Sequence, residues 1–277
     1  MDLSERVRAA LDEDRASGDV TTLATVPADA QGAAVLVAHQ AGVIAGLECV
    51  ALAFEALDAG CVIDRVVPDG THVLSGASVM HVAGRTRALL SAERVALNFG
   101  QRLSGIATLT SLYVETVRGL PVRILDTRKT TPGWRDLEKY AVRMGGGANH
   151  RMDLASMALV KDNHLAFVGG DVALAVKRVR ALLPPGAEIE VEADTLAQVE
   201  AAIACGVERI LLDNMALDEL RAAVALAAGR ARLEASGGVT LETVRAIAET
   251  GVNDISVGAL THSAPAFDLG LDLTEPR

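Results

Sequence analysis

Aromatic residues are scarce: one Trp, two Tyr and four Phe make up 3% of the 277 residues. A core with so few large rings has to be built from Ala, Val and Leu, and half of the chain is hydrophobic. Cysteine is scarce too. Cys49, Cys61 and Cys205 stand far apart among apolar neighbours. That spacing excludes a CxxC redox motif and a zinc site, and it predicts buried, reduced thiols. No run approaches the roughly 18 apolar residues of a membrane span. The opening MDLSERVRAALDEDR alternates charged and apolar residues without a signal-peptide core, so a cytosolic protein is expected. Positive charge is in deficit, with 26 Lys and Arg against 36 Asp and Glu, which argues against nucleic acid as a partner.

The positive charge that is present gathers in one place. Residues 123–164 hold Arg123, Arg128, Lys129, Arg135, Lys139, Arg143, Arg151 and Lys161 against Asp126, Asp136, Glu138, Asp153 and Asp162. The same stretch carries His150, His164 and the single Trp134. A basic island in an acidic chain builds a field for an anionic ligand. Its local pattern also reads as a site. Ile124-Leu125 closes an apolar run that suits a strand, and Asp126-Thr127-Arg128-Lys129-Thr130-Thr131 follows before the break at Pro132-Gly133. Trp134, Leu137, Ala141 and Met144 recur at helical spacing, and Gly145-Gly146-Gly147 stops that helix ahead of His150-Arg151. A second apolar run, Ala158-Leu159-Val160, ends in Lys161-Asp162-Asn163-His164. Ligands of α/β folds bind beyond the carboxyl ends of strands.

The first hundred residues read as a small α+β region without regular alternation. Leu3, Val7, Ala10 and Leu11 predict an amphipathic helix, and Asp19, Thr21 and Thr22 in SGDVTT read as capping residues. Strands are expected at 33–38 and 43–45 around a turn, then at 61–67 and 79–82, with a helix over 47–57 between the two pairs. Ser91-Ala92-Glu93 is read as the cap of a further helix, on which Arg94 and Arg102 are exposed arginines. His39, His72 and His81 are scattered and carry no metal-ligand spacing.

From residue 122 the rhythm becomes strand then helix. Strands are expected at 122–126, 157–161, 188–193, 208–212, 232–236 and 254–257. Helices are expected at 134–144, 171–182, 196–204, 217–228 and 241–249. This alternation predicts a parallel sheet, open as a six-stranded barrel or as a doubly wound sheet. The strand ends carry acids. Alternation puts Glu190 and Glu192 on one face, which fits a polar barrel mouth, and Asp213 ends the next strand. Ser236-Gly237-Gly238 and Gly258-Ala259 follow the last two strands, as glycine turns with inward N–H groups at helix starts do where phosphate binds. Arginines and lysines together with carboxylates call for a ligand with several anionic groups plus hydroxyls, a metal ion or a developing cation.

TRKTTPGWRDLEKYAVRMGGGANHR, KDNH, SAERVALN and RLSGIAT together resemble quinolinate phosphoribosyltransferase, the decarboxylating family of de novo NAD synthesis, and the likeness runs over essentially the whole chain. It implies an α/β protein of the type II phosphoribosyltransferase class: an N-terminal, sandwich-like α+β domain over 1–104, joined by the tail 264–277, and an open six-stranded α/β barrel over 105–263. The implied reaction converts quinolinate and phosphoribosyl pyrophosphate to nicotinate mononucleotide, pyrophosphate and carbon dioxide. Carried over by position, Arg128, His150 and Arg151 would grip quinolinate, with Arg94 reaching in from a partner chain. Lys129 and Lys161 would meet phosphoribosyl pyrophosphate. Glu192 and Asp213 would hold the ribose hydroxyls with Mg²⁺ nearby, and Ser236, Gly237, Gly258 and Ala259 would receive a phosphate. Lys129, Lys161, Glu192 and Asp213 would be the catalytic groups, in a homodimer with a shared site that can extend to a hexamer. Rival readings are a phosphoribosyltransferase like the molybdenum-transport-associated homologues, a Schiff-base aldolase using Lys161, and an anion-binding protein without catalysis.

Overall fold

The computed structural model of the chain describes residues 2–274. Two compact units result: 2–109, 140–146 and 264–274 make the first, and 110–139 with 147–263 the second.

In the first unit, α1 (Leu3–Glu13) starts where Asp2 and Glu5 cap each other's backbone N–H at 2.8 and 2.9 Å. Asp19 caps α2 (Val20–Thr25), accepting from the Thr22 N–H at 3.0 Å and the Thr22 hydroxyl at 2.6 Å. β1 (Gln31–Ala38), β3 (Val62–Arg65), β5 (Ser78–Arg85) and β12 (Leu269–Thr274) form an antiparallel sheet in the order β12-β1-β5-β3. The strands expected at 33–38 and 43–45 do not pair with each other. β2 (Gly42–Val43) pairs instead with β4 (His72–Val73), and β12 takes the free edge of β1. α3 (Leu47–Leu57) buries Leu47, Val50, Ala51 and Phe54. Ser91 does not cap a helix. α4 (Thr86–Thr116) is already under way at that point, and the Ser91 hydroxyl bonds to Asp19 at 3.2 Å. Gly105 lies where α4 meets the tail: a Cβ there would sit 2.1 Å from the Pro265 carbonyl oxygen. Of the thiols, Cys49 is buried while Cys61 and Cys205 are only half-buried; all three are free.

The second unit repeats strand and helix: β6 (Arg123–Leu125), α5 (Arg135–Met144), β7 (Ala158–Val160), α6 (Asp162–Ala166), α7 (Val172–Arg180), β8 (Ile189–Ala193), α8 (Leu196–Ala204), β9 (Arg209–Asp213), α9 (Leu217–Ala227), β10 (Arg232–Ser236), α10 (Val244–Ala248), β11 (Asp254–Ser256) and α11 (Ala259–His262). α5 crosses into the first unit at Tyr140. The strands are parallel in the order β6-β11-β10-β9-β8-β7. Their bounds lie close to the expected ones. The helix expected over 241–249 is cut to Val244–Ala248, and α6 and α11 are additional.

Side chains decide between barrel and flat sheet. Glu190 on β8 and Glu234 on β10 both lie within 3.3 Å of His150, and Arg209 on β9 reaches Asp254 on β11 at 3.1 Å. The residues at the two edges decide it: Thr127, Arg128 and Lys129 after β6 and Leu159 and Lys161 at β7 line one cavity, whereas the edges of a flat six-stranded sheet stand roughly 24 Å apart, so the sheet is rolled. β6 and β7 do not pair with each other, which leaves the barrel open along that seam. No described helix is long and apolar enough to cross a membrane.

Candidate active site

The loops at the carboxyl ends of the strands enclose a cavity of about 580 Å³, within the range of small-molecule sites. All of its walls belong to the second unit. Thr127, Arg128 and Lys129 come from the loop after β6, His150 and Arg151 from the loop after α5, and Lys161 from the end of β7. Glu192, Asp213, Asn214, Glu234, Ser236, Gly237, Gly238 and Ser256 complete the rim and floor.

The basic island sorts into framework and site. Arg123 pairs with buried Asp254 at 2.7 Å. Lys139 and Asp126 form a fully buried ion pair, and Lys139 also donates to the His150 carbonyl at 3.0 Å. Asp126 accepts from the His150 N–H at 2.9 Å and from the Asn149 amide. Burial pushes the Asp126 pKa up and the Lys139 pKa down, each partly offset by the other's charge. This pair ties the His150 loop to β6. Arg135 donates to Thr130 and to the Met152 carbonyl, Arg143 lies over the Tyr140 ring, and Lys161 pairs with Glu192. Arg128, Lys129 and Arg151 are left, and none of them has a carboxylate ion pair among the described residues. Arg151 donates to the Met157 carbonyl at 3.1 Å. The buried Arg128 Nε has no hydrogen-bond partner. Such a group costs about 1–3 kcal/mol unless a ligand satisfies it.

The carboxylates occupy two depths. Glu192 accepts from the Lys161 ammonium at 2.7 Å and faces the cavity. Glu190, one pleat deeper, is not in the mouth as expected. It is fully buried beside Arg209, 3.4 Å away, because the barrel interior holds the guanidinium that can neutralise it. His150 lies on this floor. Its Nδ1 accepts the Arg151 N–H at 2.7 Å, and its Nε2 lies 3.0 Å from Glu190 and 3.3 Å from Glu234. Burial alone would lower its pKa, but the two carboxylates push it up to about 9. The two carboxylates favour the imidazolium, whereas Nδ1 accepts the Arg151 N–H only in the neutral ring; in either state Nε2 carries a proton towards the carboxylates. His150, Glu190 and Glu234 are close enough together to suggest a metal centre. With Nε2 protonated and Nδ1 turned to the Arg151 N–H, however, the ring has no lone pair to offer an ion. Both nitrogens are engaged inside the protein.

The turn after β10 is held open by glycine. Gly237 has φ +97°, and a Cβ there would fall 2.1 Å from the Asn214 side-chain oxygen. The Asn214 N–H donates to the Ser236 carbonyl at 2.9 Å and stitches this turn to the one after β9. The turn does not open onto a helix as expected, because residues 240–243 form a turn of their own before α10. α11 does follow Gly258 directly.

Comparison with known proteins identifies the relatives. The family description "Quinolinate phosphoribosyl transferase, N-terminal domain" matches residues 19–104, and its C-terminal-domain counterpart matches 106–272. The chain belongs to the quinolinate phosphoribosyltransferase family. The nicotinate-nucleotide pyrophosphorylase [carboxylating] of Mycobacterium leprae is 45% identical over 97% of this chain and 96% of its own length. The chloroplastic protein of that name from Arabidopsis thaliana is 42% identical over 98% of this chain and 83% of its own. The crystal structure of NadC from Streptococcus pyogenes superposes with a TM-score of 0.94 at 42% identity, covering 98% and 95% of the two chains.

Nine of the positions carried over from the quinolinate phosphoribosyltransferase resemblance line the cavity: Arg128, Lys129, His150, Arg151, Lys161, Glu192, Asp213, Ser236 and Gly237. Gly258 lies behind Lys129, whose Cδ would be 3.0 Å from an added Cβ, and Ala259 opens α11. Neither is part of the wall. Arg94 is exposed on α4 in the first unit, and Arg102, about two turns further along that helix, donates to the Ala264 carbonyl at 3.2 Å. Sequence reasoning missed Glu234, Asn214 and Ser256. Strand alternation was the available signal for Glu234, since it shares the face of Ser236.

Proposed function

We infer that the chain transfers the phosphoribosyl group of phosphoribosyl pyrophosphate to quinolinate and decarboxylates the product, giving nicotinate mononucleotide, pyrophosphate and carbon dioxide for NAD synthesis. Family membership over both domains supports this reading. The single observation that carries it is the cavity itself: guanidinium groups without carboxylate partners, Arg128 with an unsatisfied buried Nε, face carboxylates and a glycine turn. Arg128 and Arg151 are assigned to the pyridine dicarboxylate, because the guanidinium fork matches a planar carboxylate. Lys129 and Lys161 are assigned to the pyrophosphate, Glu192 and Asp213 to the ribose hydroxyls, and the Ser236-Gly237 turn to the sugar phosphate. His150 is assigned to the dicarboxylate end as the residue that fixes the Arg151 backbone.

Holding both substrates in line supplies most of the catalysis. The pyridine nitrogen attacks the anomeric carbon while the bond to pyrophosphate breaks, so no protein nucleophile is needed. The cationic ring then takes the electron pair released when the 2-carboxylate leaves as carbon dioxide. Mg²⁺ binds through one or two carboxylates together with phosphate oxygens and waters, and Glu192 and Asp213, both open to the cavity, fit that donor set. When bound, Mg²⁺ would neutralise charge on the leaving pyrophosphate. Lys161 carries its charge against Glu192, the opposite of what a Schiff-base nucleophile needs.

Quinolinate labelled at the 2-carboxylate tests the reaction. Labelled carbon dioxide is expected only when phosphoribosyl pyrophosphate and Mg²⁺ are both present, with matching nicotinate mononucleotide. No release from the folded protein would rule quinolinate out. We also assign Arg94 to the cavity of a partner subunit in a homodimer. Mixing inactive Arg94→Ala with inactive Arg128→Ala is then expected to restore up to about a quarter of the activity, since random exchange leaves one intact site in half of the dimers. No recovery, with subunit exchange verified, would remove the shared site.

A further inference from the structure

Glu234 is a third carboxylate in the cavity, and neither of the roles assigned to Glu192 and Asp213 covers it. It lines the cavity yet is 1% exposed. Its Oε2 is held by Arg209 at 2.8 Å and lies 3.3 Å from the His150 Nε2. Its Oε1 is buried with no hydrogen-bond partner. A buried acceptor left in this state in a cavity wall is a place where a ligand completes the site. Burial alone would raise the Glu234 pKa, but the contacts with His150 and Arg209 outweigh it and hold the carboxyl below its usual range.

The cavity carboxylates are not equivalent. The Lys161 ammonium neutralises Glu192, and the Asn214 amide donates to Asp213 at 2.8 Å. Of the three, Glu234 alone has one oxygen anchored and the other buried without a hydrogen-bond partner. Its position along the strand matters as well. Glu234 and Ser236 share the inward face of β10, one pleat or roughly 6.6 Å apart. A sugar whose 5-phosphate sits in the Ser236-Gly237 turn therefore extends its ring to the level of Glu234. We propose that Glu234 is a further catalytic residue of the transfer step, with its free Oε1 against the sugar ring, where it stabilises the positive charge that develops on the anomeric carbon. The proposal rests on the phosphoribosyl-transfer reading. In that step the bond from the anomeric carbon to pyrophosphate breaks and its electron pair leaves on pyrophosphate. The pyridine nitrogen's lone pair makes the new carbon–nitrogen bond. Glu234 forms no bond and moves no proton. Because Arg209 fixes its other oxygen, the charge is in place before the reaction and needs no reorganisation.

Glu234→Gln keeps the shape and removes the charge. Its kcat is expected to fall about 100-fold or more, with both KM values within a few-fold of the parent. The secondary tritium isotope effect at the anomeric position is expected to grow as sugar transfer becomes rate-limiting. Glu234→Asp keeps the charge, withdraws it by one methylene and should recover part of kcat. If the glutamine variant melts early, the same comparison is read in Glu234→Asp. A raised KM for phosphoribosyl pyrophosphate with kcat intact would make Glu234 a simple hydroxyl acceptor and overturn the proposal. A lower melting temperature with kcat within about threefold of the parent would make it structural and overturn it equally. A parent protein that forms no nicotinate mononucleotide would instead remove the transfer reading itself.

Discussion

Replacing Arg128 by alanine is expected to lower kcat/KM for quinolinate about 1,000-fold and, at the same time, to leave the protein as stable as before or more so. Arg128 sits at the cavity wall with a buried Nε that bonds to nothing, and Arg151 lines the same cavity. Folding therefore puts like charges close together without a carboxylate between them, an arrangement that costs stability. It makes sense if a dianionic ligand completes it. Losing a desolvated, hydrogen-bonded partner of a bound carboxylate costs roughly 4 kcal/mol, which is about three orders of magnitude in affinity. The KM for phosphoribosyl pyrophosphate should move far less. Arg128→Lys should recover less than about tenfold, because an ammonium restores the charge but not the planar fork. Steady-state kinetics with each substrate varied, alongside thermal melts, checks all three parts. A lysine variant near parental activity would show that charge alone suffices. A strongly destabilised alanine variant would show that Arg128 belongs to the framework.

The same contrast explains what could be read from the sequence. The strand–helix rhythm after residue 122 was legible because each unit is local: an apolar run of three to five residues, a turn, then helical spacing. The cavity walls were legible because charges at strand ends face a barrel mouth. Pairing between distant segments was not legible. β1 finds β12 some 230 residues later, and β2 finds β4 rather than its neighbour. Nothing in residues 33–45 encodes those partners. The interior charges were also missed. Glu190 and Glu192 look alike in IEVEA. Only the rolled sheet, which brings Arg209 and His150 under β8, separates a buried framework acid from one facing the cavity. Lys139 and Asp126 likewise read as part of a basic island, whereas both are 0% exposed and serve to fix the loop that carries His150.

Asp254→Asn tests that hidden framework and should be the most destabilising change of a single charge in the barrel. Asp254 is fully buried at the start of β11 and receives three guanidinium groups: Arg123 at 2.7 Å, Arg209 at 3.1 Å and Arg232 at 3.0 Å. An amide of the same shape leaves these cations facing one another without their anion. Breaking a buried ion pair in this way costs about 3–5 kcal/mol, read as a lower urea midpoint with an unchanged slope. The sign of the pH dependence follows from the shift. Burial alone would raise the Asp254 pKa, but the Arg123, Arg232 and Arg209 contacts outweigh it and hold the carboxyl below its usual range. A depressed folded value means that the stabilisation is complete above the unfolded pKa of about 4 and disappears as the pH falls through the lower folded value. Parent and variant should therefore differ most at neutral pH and converge in acid. A gap that persists undiminished well below pH 4 would mean that the loss comes from packing. Because Asp254 and Glu234 share Arg209, the variant's remaining folded fraction should also lose activity. The group that holds β11 in place thus also orients, through Arg209, the Glu234 carboxylate in the cavity wall.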